Sequence, residues 1–173
     1  MKQNDINATA EVHRRAFGPD EGPETAQLAK DFLSHPDTIS ISVGRDAQIA
    51  GNVLFTRFVF AEHPDANCCL LAPFGVLPAY QGQGVGRDLM QAGLDHLRSV
   101  GADAVFVLGV PAFYPRFGFA PTDVRTPYPD LLTIPQAWMA CDLTDGSLDN
   151  LSGPTRAIPQ FMHPHWWDTT ERR

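Results

Sequence analysis

The sequence predicts an α/β (α+β) protein in which a mixed β-sheet is flanked by helices. Three features support this prediction: two alternating apolar segments joined by a polar turn, a third apolar segment of strand length, and a helix-like segment that separates the third strand from a fourth. The predicted order of elements is α-α-β-β-β-α-β-α-β. Because 173 residues are enough to bury a core without disulfides or metals, we expect a single domain spanning residues 1–173.

Two helices are predicted near the N-terminus. Over residues 9–17, apolar side chains and His13 recur on a partial helical face. The segment FGPDEGP, residues 17–23, holds two glycines and two prolines, so we expect it to break the helix. A second helix is predicted over residues 24–33, and its inward-facing residues would be Leu28, Ala29, Phe32 and Leu33.

A β-hairpin and a central strand are predicted next. The segment TISISVGRDAQIAGNVLFTRFVF, residues 38–60, alternates in hydrophobicity on both sides of the turn GRDAQ, which is typical of two antiparallel strands. The segment NCCLLAPFGVLP, residues 67–78, is apolar almost throughout, which indicates a strand buried on both faces. Pro78 cannot donate to a sheet, so the strand is expected to end there.

The second half of the chain continues the alternation of helix and strand. Apolar residues from Gly86 onward follow a helical period, and Gly101 occupies the position that commonly ends a helix. We then expect a strand in ADAVFVLGV, residues 102–110, and a short helix and turn in PAFYPRFGF, residues 111–119. One more strand is predicted around residues 137–143.

Composition excludes several classes of function. The net charge is −7 without a cluster of Lys or Arg, which argues against a nucleic-acid partner. No apolar run has the roughly 18 to 20 residues of a membrane span, so we expect a soluble protein without a membrane partner. The N-terminus resembles neither a signal nor a transit peptide, and we therefore expect a cytoplasmic location.

The cysteines and histidines do not predict a metal site. Three cysteines, none in a C-x-x-C spacing, are expected to be reduced and structural. The segment HPHWW, residues 163–167, has two histidines but lacks a third ligand in sequence, so packing or an interface is the favoured interpretation.

A glycine-rich segment, YQGQGVGRDL at residues 80–89, stands between the central strand and the next helix. A helix N-terminus presents unpaired N–H groups and a partial positive charge, which together bind phosphate. Glycine removes the Cβ that would obstruct the ligand and adopts the backbone angles that aim successive amides at one point. The sequence therefore predicts a phosphorylated ligand.

Two of three candidate ligands fit this segment poorly. A nucleoside triphosphate would require G-x-x-x-x-G-K-[ST], and the Lys and the hydroxyl residue are missing. A dinucleotide would require G-x-G-x-x-G directly after the strand, whereas Arg87 stands at the third glycine position and LPAYQ separates the strand from the glycines. The diphosphate of coenzyme A is the third candidate.

Two motifs resemble the GNAT superfamily of N-acetyltransferases. The segment QGQGVG, residues 81–86, matches that family's Q/R-x-x-G-x-G/A signature, and residues 114–119 resemble its Tyr-x-x-x-Gly-Phe motif. The resemblance covers residues 70–120 and implies a GNAT-like acyl-CoA N-acyltransferase fold with a centrally splayed sheet. It further implies an enzyme that transfers acetyl from acetyl-CoA, as cosubstrate, to a primary amine of a small molecule or a peptide by direct attack.

The resemblance also implies which residues form the site. In the family, a splayed strand end bonds the pantetheine arm through its backbone, and here that role falls to Phe74, Gly75 and Val76; the N–H of Val76 or its neighbour would polarise the thioester carbonyl. Tyr114 matches the position of the general acid that protonates the departing thiolate. The residues expected to hold the diphosphate are Gln81, Gly82, Gln83, Gly84, Val85, Gly86 and Arg87.

Several points stay open at the level of sequence. No Asp or Glu lies in NCCLLAPFGV, where many relatives carry the general base, so His63, Asp65, Glu21, Glu24 and a water chain all remain candidates. The acceptor is unknown; its pocket is expected near residues 17–33 and 128–138. A non-catalytic CoA-binding module is the alternative function, and a homodimer is left open. Relatives open with an edge strand that here is expected to be shortened or absent.

Overall fold

The computed structural model describes residues 3–170 and contains three α-helices and a seven-stranded sheet. The strands are β1 (Ile39–Arg45), β2 (Gln48–Phe60), β3 (His63–Val76), β4 (Ala104–Leu108), β5 (Ala120–Pro121), β6 (Trp138–Asp142) and β7 (Thr155–Arg156). Their order in the sheet is β1-β2-β3-β4-β6-β5, and β7 pairs with β2. Strands β3 and β4 run parallel, whereas the pairs β1–β2, β2–β7, β4–β6 and β5–β6 are antiparallel. The predicted mixed sheet is therefore confirmed. No helix within the described residues is long and apolar enough to cross a bilayer.

The two N-terminal helices are longer than predicted. Helix α1 spans Gln3–Ala16 and α2 spans Gly18–Leu33, so Phe17 alone separates them. The predicted helix break was too long, because it was expected over residues 17–23 and only Phe17 lies between the two helices. Pro19 lies in the first turn of α2, where a missing N–H costs nothing, and Pro23 is accommodated inside the helix. At Gly22 the two helices approach so closely that a Cβ would collide with the Arg14 carbonyl, so packing overrides local propensity here.

The described part of the N-terminal segment is helical. Residues 3–16 belong to α1, and the first strand within the described residues is β1, so the edge strand that relatives place before the first helix is not formed by residues 3–16. Residues 1 and 2 lie outside the described part of the chain.

The hairpin and the central strand are confirmed. Strands β1 (Ile39–Arg45) and β2 (Gln48–Phe60) pair antiparallel, and the turn between them places Asp46 and Ala47 at φ of 51° and 61°. Strand β3 spans His63–Val76 and begins four residues earlier than predicted. Its parallel pairs with β4 join Cys68–Leu70 to Ala104–Phe106, and the remainder of β3 extends past Leu70 to Val76.

The remaining elements follow the predicted order. Helix α3 spans Val85–Ser99, and Gly101 adopts the left-handed conformation with φ of 73° while Ala102 N–H bonds the Leu97 carbonyl at 3.0 Å. Strands β4 (Ala104–Leu108) and β6 (Trp138–Asp142) were both predicted. The two-residue strands β5 (Ala120–Pro121) and β7 (Thr155–Arg156) were missed because two residues carry no periodic signal.

The chain divides into two compact units, each with its own buried side chains. The first comprises the chain up to Thr56 together with Ala72–Asp95, and the second comprises Arg57–Leu71 together with the chain from His96 onward. In the first unit, α2, β2 and α3 contribute fully buried apolar side chains that include Phe32, Val53, Phe55, Leu89 and Met90. The second unit is built around aromatic rings whose centroids lie 5.1 to 5.9 Å apart, namely Phe58, Phe60, Phe106, Trp138 and Trp167.

Candidate functional site

The glycine-rich segment forms an open loop at the N-terminus of α3. Strand β3 ends at Val76, a 3-10 turn covers Pro78–Tyr80, and α3 begins at Val85. Gly82 and Gly84 have φ of 73° and 84°, a region that L-residues other than glycine rarely adopt. A Cβ at Gly82 would meet no heavy atom within 4 Å, so the surface above the loop is clear for a ligand.

The first amides of α3 face out of the helix end. The Asp88 N–H donates to the Gly84 carbonyl at 3.0 Å, which makes Gly84 the residue that caps the helix. The N–H groups of Val85, Gly86 and Arg87 consequently precede the first intrahelical bond and have no carbonyl one turn earlier. These three amides, with the helix dipole behind them, suit an anionic diphosphate.

The two glutamine side chains of the loop bond to its own backbone. Gln81 Nε2 donates to the Val76 carbonyl at 3.1 Å, and Gln83 Nε2 donates to the Ala79 carbonyl at 2.7 Å. Both bonds tie the loop to the chain that leads into it.

Charged side chains surround the same helix end. Arg87 is 75% exposed and lies 3.2 Å from Asp88, whose other oxygen is 2.6 Å from Arg45 at the end of β1. Hydrogen bonds from Arg45 and then Arg87 lower the pKa of Asp88. Arg87 Nη2 lies 3.4 Å from the position of a Cβ at Gly84, so this guanidinium stands beside the loop with an exposed face.

The hairpin turn is bonded to the segment before the loop. Tyr80 donates its hydroxyl proton to Asp46 Oδ2 at 3.0 Å and accepts a hydrogen bond from Gln48 Nε2 at 2.7 Å. The Leu77 N–H donates to the Ala50 carbonyl at 2.8 Å. These contacts fix the chain on which the loop is mounted, which favours preorganised amides over a flexible loop.

The end of β3 packs against α1 at Gly75. A Cβ at this glycine would lie 2.9 Å from His13 Nδ1 and 3.1 Å from the Ala16 Cβ, so a larger residue would displace the helix. Gly75 is one of three strand residues, with Phe74 and Val76, that the sequence assigned to the donor. Close packing at this point holds the strand end at a fixed distance from α1.

His13 and Asn52 form a buried pair that the sequence did not predict. His13 Nε2 lies 2.8 Å from Asn52 Oδ1, and both residues are fully buried. Burial lowers the pKa of His13 to about 4, although the hydrogen bond to Asn52 Oδ1 opposes this shift. Two signals in the sequence could have drawn attention to this pair: Asn52 lies inside the apolar run of β2, and His13 lies on the apolar face of α1. Neither signal shows that the two residues are partners.

Tyr114 lies in the second unit, in a buried aromatic setting. It opens the 3-10 turn Tyr114–Phe117, and its ring contacts Phe113 and Phe119 edge-on at 5.1 and 5.5 Å between centroids. The ring also lies against Gly109, where any Cβ would collide with it. Burial raises the pKa of Tyr114 well above its usual value, so the phenol keeps its proton throughout the physiological pH range.

The sequence candidates for the general base lie apart along the chain. Glu21 and Glu24 are exposed on α2, whereas His63 and Asp65 belong to the first residues of β3 in the second unit. His63 contacts the Phe60 ring edge-on at 6.4 Å between centroids. No interaction distinguishes one of the four as a base.

Metal and thiol chemistry find no support within the described residues. No group of three or more His, Cys, Asp or Glu side chains there could hold a metal ion. All three cysteines are free and buried, as expected, and burial raises the pKa of Cys68 to about 12 and that of Cys69 to about 11. These thiols therefore stay protonated and packed.

Comparison with known proteins identifies the family. The description "Acetyltransferase (GNAT) family" belongs to a family model that matches residues 6–119. The uncharacterized N-acetyltransferase YjhQ of Escherichia coli (strain K12) is 38% identical over 141 residues, which cover 80% of this chain and 77% of YjhQ.

Solved structures agree with this match. The crystal structure of the E. coli GNAT N-acetyltransferase YhbS in complex with CoA superposes with a TM-score of 0.82 at 28% identity, covering 94% of this chain and 89% of YhbS. A GNAT acetyltransferase of Brucella melitensis in complex with acetyl-CoA has a TM-score of 0.72 at 22% identity, covering 93% and 94% of the two chains, and supports the fold alone.

These matches confirm the resemblance seen in the two motifs and the fold that it implied. The family match covers well over half of the chain and includes the glycine loop, the end of β3 and Tyr114. The chain belongs to the GNAT family of acetyltransferases, and it is an acyltransferase whose acetyl donor is acetyl-CoA.

Proposed function

We propose that this N-acetyltransferase transfers acetyl from acetyl-CoA to a primary amine of a small molecule or a peptide, by direct attack of the neutral amine on the thioester. The observation that carries the proposal is the open glycine loop of residues 81–84 at the N-terminus of α3: a Cβ at Gly82 would meet no heavy atom within 4 Å, and the N–H groups of residues 85–87 precede the first intrahelical bond. An amide cluster of this kind suits a diphosphate, and coenzyme A carries one next to its acyl arm.

In this proposal the loop binds the donor through its backbone. The amides of Val85, Gly86 and Arg87 would bond the diphosphate, and Gly82 and Gly84 would let it approach. Gln81 and Gln83 would keep the loop in shape through their bonds to the preceding backbone. The guanidinium of Arg87 is exposed enough to reach a coenzyme phosphate.

The strand end and Tyr114 would serve the reacting groups. Phe74, Gly75 and Val76 would bond the pantetheine arm as an added strand does, and the Val76 N–H would polarise the thioester carbonyl. A preorganised donor of this type is typically worth about 3 to 4 kcal/mol of transition-state stabilisation. Tyr114, which burial keeps protonated, would donate its proton to the departing thiolate.

The donor half of the proposal is tested by calorimetry. We expect the purified full-length chain to bind CoA and acetyl-CoA with one site per chain. No heat of binding at millimolar ligand would refute the assignment of the loop. A nucleotide diphosphate such as ADP serves as the control ligand, because it carries the diphosphate without the pantetheine arm and should bind more weakly.

The acceptor half is tested by thiol release. Acetyl-CoA is incubated with a panel of primary amines, namely an aminoglycoside, spermidine, tryptamine, glucosamine, a peptide with a free α-amino group and a lysine-containing peptide with a blocked N-terminus. We expect CoA thiol to appear together with the N-acetylated product of at least one amine. Binding of acetyl-CoA without turnover of any primary amine would contradict the proposed acceptor class.

A further inference from the structure

His13 is held as one defined tautomer inside the first unit. Asn52 Nδ2 donates to the Ile41 carbonyl at 3.0 Å and lies within hydrogen-bond distance of two serine hydroxyls of β1. Because the Ile41 carbonyl can only accept, this contact fixes the orientation of the amide, and Asn52 Oδ1 must face His13. The proton of the imidazole therefore resides on Nε2, which donates to Asn52 Oδ1 at 2.8 Å.

The other ring nitrogen is a buried acceptor without a partner. Nδ1 carries a lone pair in this tautomer, and no group of the described residues donates to it. His13 as a whole is 0% exposed. A buried polar group in this condition costs roughly 1 to 3 kcal/mol, so the arrangement calls for a donor that arrives with a ligand.

The lone pair points at the strand end assigned to the acetyl donor. Nδ1 lies 2.9 Å from the position of a Cβ at Gly75, and the second neighbour of that position is the small side chain of Ala16. Nδ1 therefore faces the backbone of Gly75 at the end of β3, where no side chain intervenes. Neither the thioester nor its carbonyl has a proton to give, whereas an attacking amine does.

Direct attack by an amine requires a proton acceptor near the end of β3. The strand segment NCCLLAPFGVLP contains no Asp or Glu, and the burial that keeps the imidazole neutral leaves its lone pair available at every pH at which an amine is itself neutral. The tether through Asn52 to β1 keeps the ring from turning away. The hydrogen bond with Asn52 also opposes part of the fall in the pKa of His13 that burial causes.

We propose that His13 accepts the proton of the attacking amine at Nδ1, relayed by one water molecule admitted at Gly75 when the ligands bind; this inference rests on the proposed function. The amine nitrogen forms its bond to the thioester carbonyl carbon, and the nitrogen becomes acidic as the amide forms. Its proton passes to the water, which gives one of its own to Nδ1. The carbon–sulfur bond breaks and the thiolate is protonated by Tyr114, which regains a proton from solvent, or by solvent directly, while His13 returns its proton to solvent.

The decisive experiment compares His13→Gln with the wild-type chain, using acetyl-CoA and the best amine of the panel. Glutamine retains an N–H for Asn52 but has no basic nitrogen. We expect kcat to fall by about 10² to 10⁴-fold, the usual worth of general base catalysis, while calorimetry shows CoA affinity within a few-fold of wild type. Wild-type kcat in a folded His13→Gln chain would overturn the proposal.

Chemical rescue separates proton transfer from packing. His13→Ala leaves a space of imidazole size, and we expect added imidazole to restore turnover far more than pyrazole, which has the same shape but is much less basic. Equal rescue by both azoles would show that His13 only fills space. Should His13→Ala fail to fold, the kcat of His13→Gln decides alone.

The outcomes distinguish this inference from the proposed function. A wild-type chain that binds no CoA refutes the proposed function and the inference with it. A wild-type chain that binds and turns over, with His13→Gln equally active, refutes only the role of His13. The thermal unfolding midpoint of each variant is measured alongside, because a structural role would lower it without producing the dependence on azole basicity.

Discussion

The buried environment of Tyr114 sets both the position and the pKa of its phenol. The phenol is held by edge-on contacts with two aromatic rings and by Gly109, and burial raises its pKa. Raising the pKa makes the phenol a weaker acid, yet it also guarantees that the proton is present when the thiolate leaves. In the proposed mechanism Tyr114 would therefore contribute through its position more than through the driving force of proton transfer.

We predict that Tyr114→Phe lowers turnover by one to three powers of ten and hardly changes CoA affinity, since only the proton donor is removed. Steady-state kinetics and calorimetry measure the two effects. Phe119→Leu is the matched control, because it disturbs the packing around the same ring but leaves the hydroxyl in place; it should lower stability and leave turnover within a few-fold. Unchanged turnover in Tyr114→Phe would remove the phenol from the mechanism.

His13 makes the stability of the protein depend on pH. Its pKa is lowered from 6.5 to about 4 in the folded chain, first by burial. Between these values the unfolded chain binds more protons than the folded chain, so the contribution of His13 is fully present above about pH 6.5 and is lost as the pH falls toward 4. From pH 7 to pH 5 the loss should be roughly 2 kcal/mol of unfolding free energy.

We predict a flatter pH profile for His13→Gln, because glutamine does not titrate. Urea unfolding of both chains from pH 7 to pH 4.5 measures the difference, and all other titrating groups cancel in the comparison. Parallel profiles for the two chains would mean that His13 titrates normally and is not closed off from water in solution.

The glycine loop and α3 form the element to which we assign donor binding. Helix α3 was predicted from its periodicity and from Gly101, because both signals are local to the chain. The conformation of the loop was not predicted. It depends on two hydrogen bonds from glutamine side chains to the backbone and on the hydrogen bonds between Tyr80 and the hairpin turn, and periodicity in the sequence does not relate these residues. The helix was therefore predictable from the sequence, whereas the conformation of the loop that precedes it was not.

We predict that Gly84→Leu, like Gly86→Leu, abolishes CoA binding, because a side chain would occupy the position of the diphosphate. Gly101→Leu is the matched control for Gly84→Leu: its φ of 73° is similar to the 84° of Gly84, and both substitutions should cost roughly 1 to 2 kcal/mol of backbone strain. Only Gly84→Leu should lose CoA binding in calorimetry. Normal binding by a folded Gly84→Leu chain would show that the loop does not hold the diphosphate.

At the scale of the whole chain, the question is whether the protein unfolds as one cooperative unit. Two compact units are distinguishable, whereas the prediction from length was one domain over residues 1–173, and that prediction stands to be tested. All three tryptophans, Trp138, Trp166 and Trp167, lie in the second unit, while helices α1 and α2 belong to the first. Fluorescence and far-UV circular dichroism therefore report on different parts of the chain.

We predict that both probes show one coincident unfolding transition in urea, as a single cooperative domain requires. The midpoints and the slopes of the two curves are the measured quantities. Two separated midpoints, with circular dichroism and fluorescence changing at different urea concentrations, would replace the single domain with two independently unfolding units. The same titration on the Gly101→Leu control shows whether a strained helix end alone can separate the two curves.

The sequence by itself determined the family, the order of the main elements and the position of the glycine loop proposed to bind the donor, because each depends on contiguous residues whose spacing has a direct physical meaning. The tertiary structure decided what depends on residues distant in the chain. It placed Asn52 of β2 against His13 of α1, packed Gly75 against the same ring, and accommodated Pro23 within α2. Contacts of this kind arise only when separate elements pack together, and no local pattern encodes them.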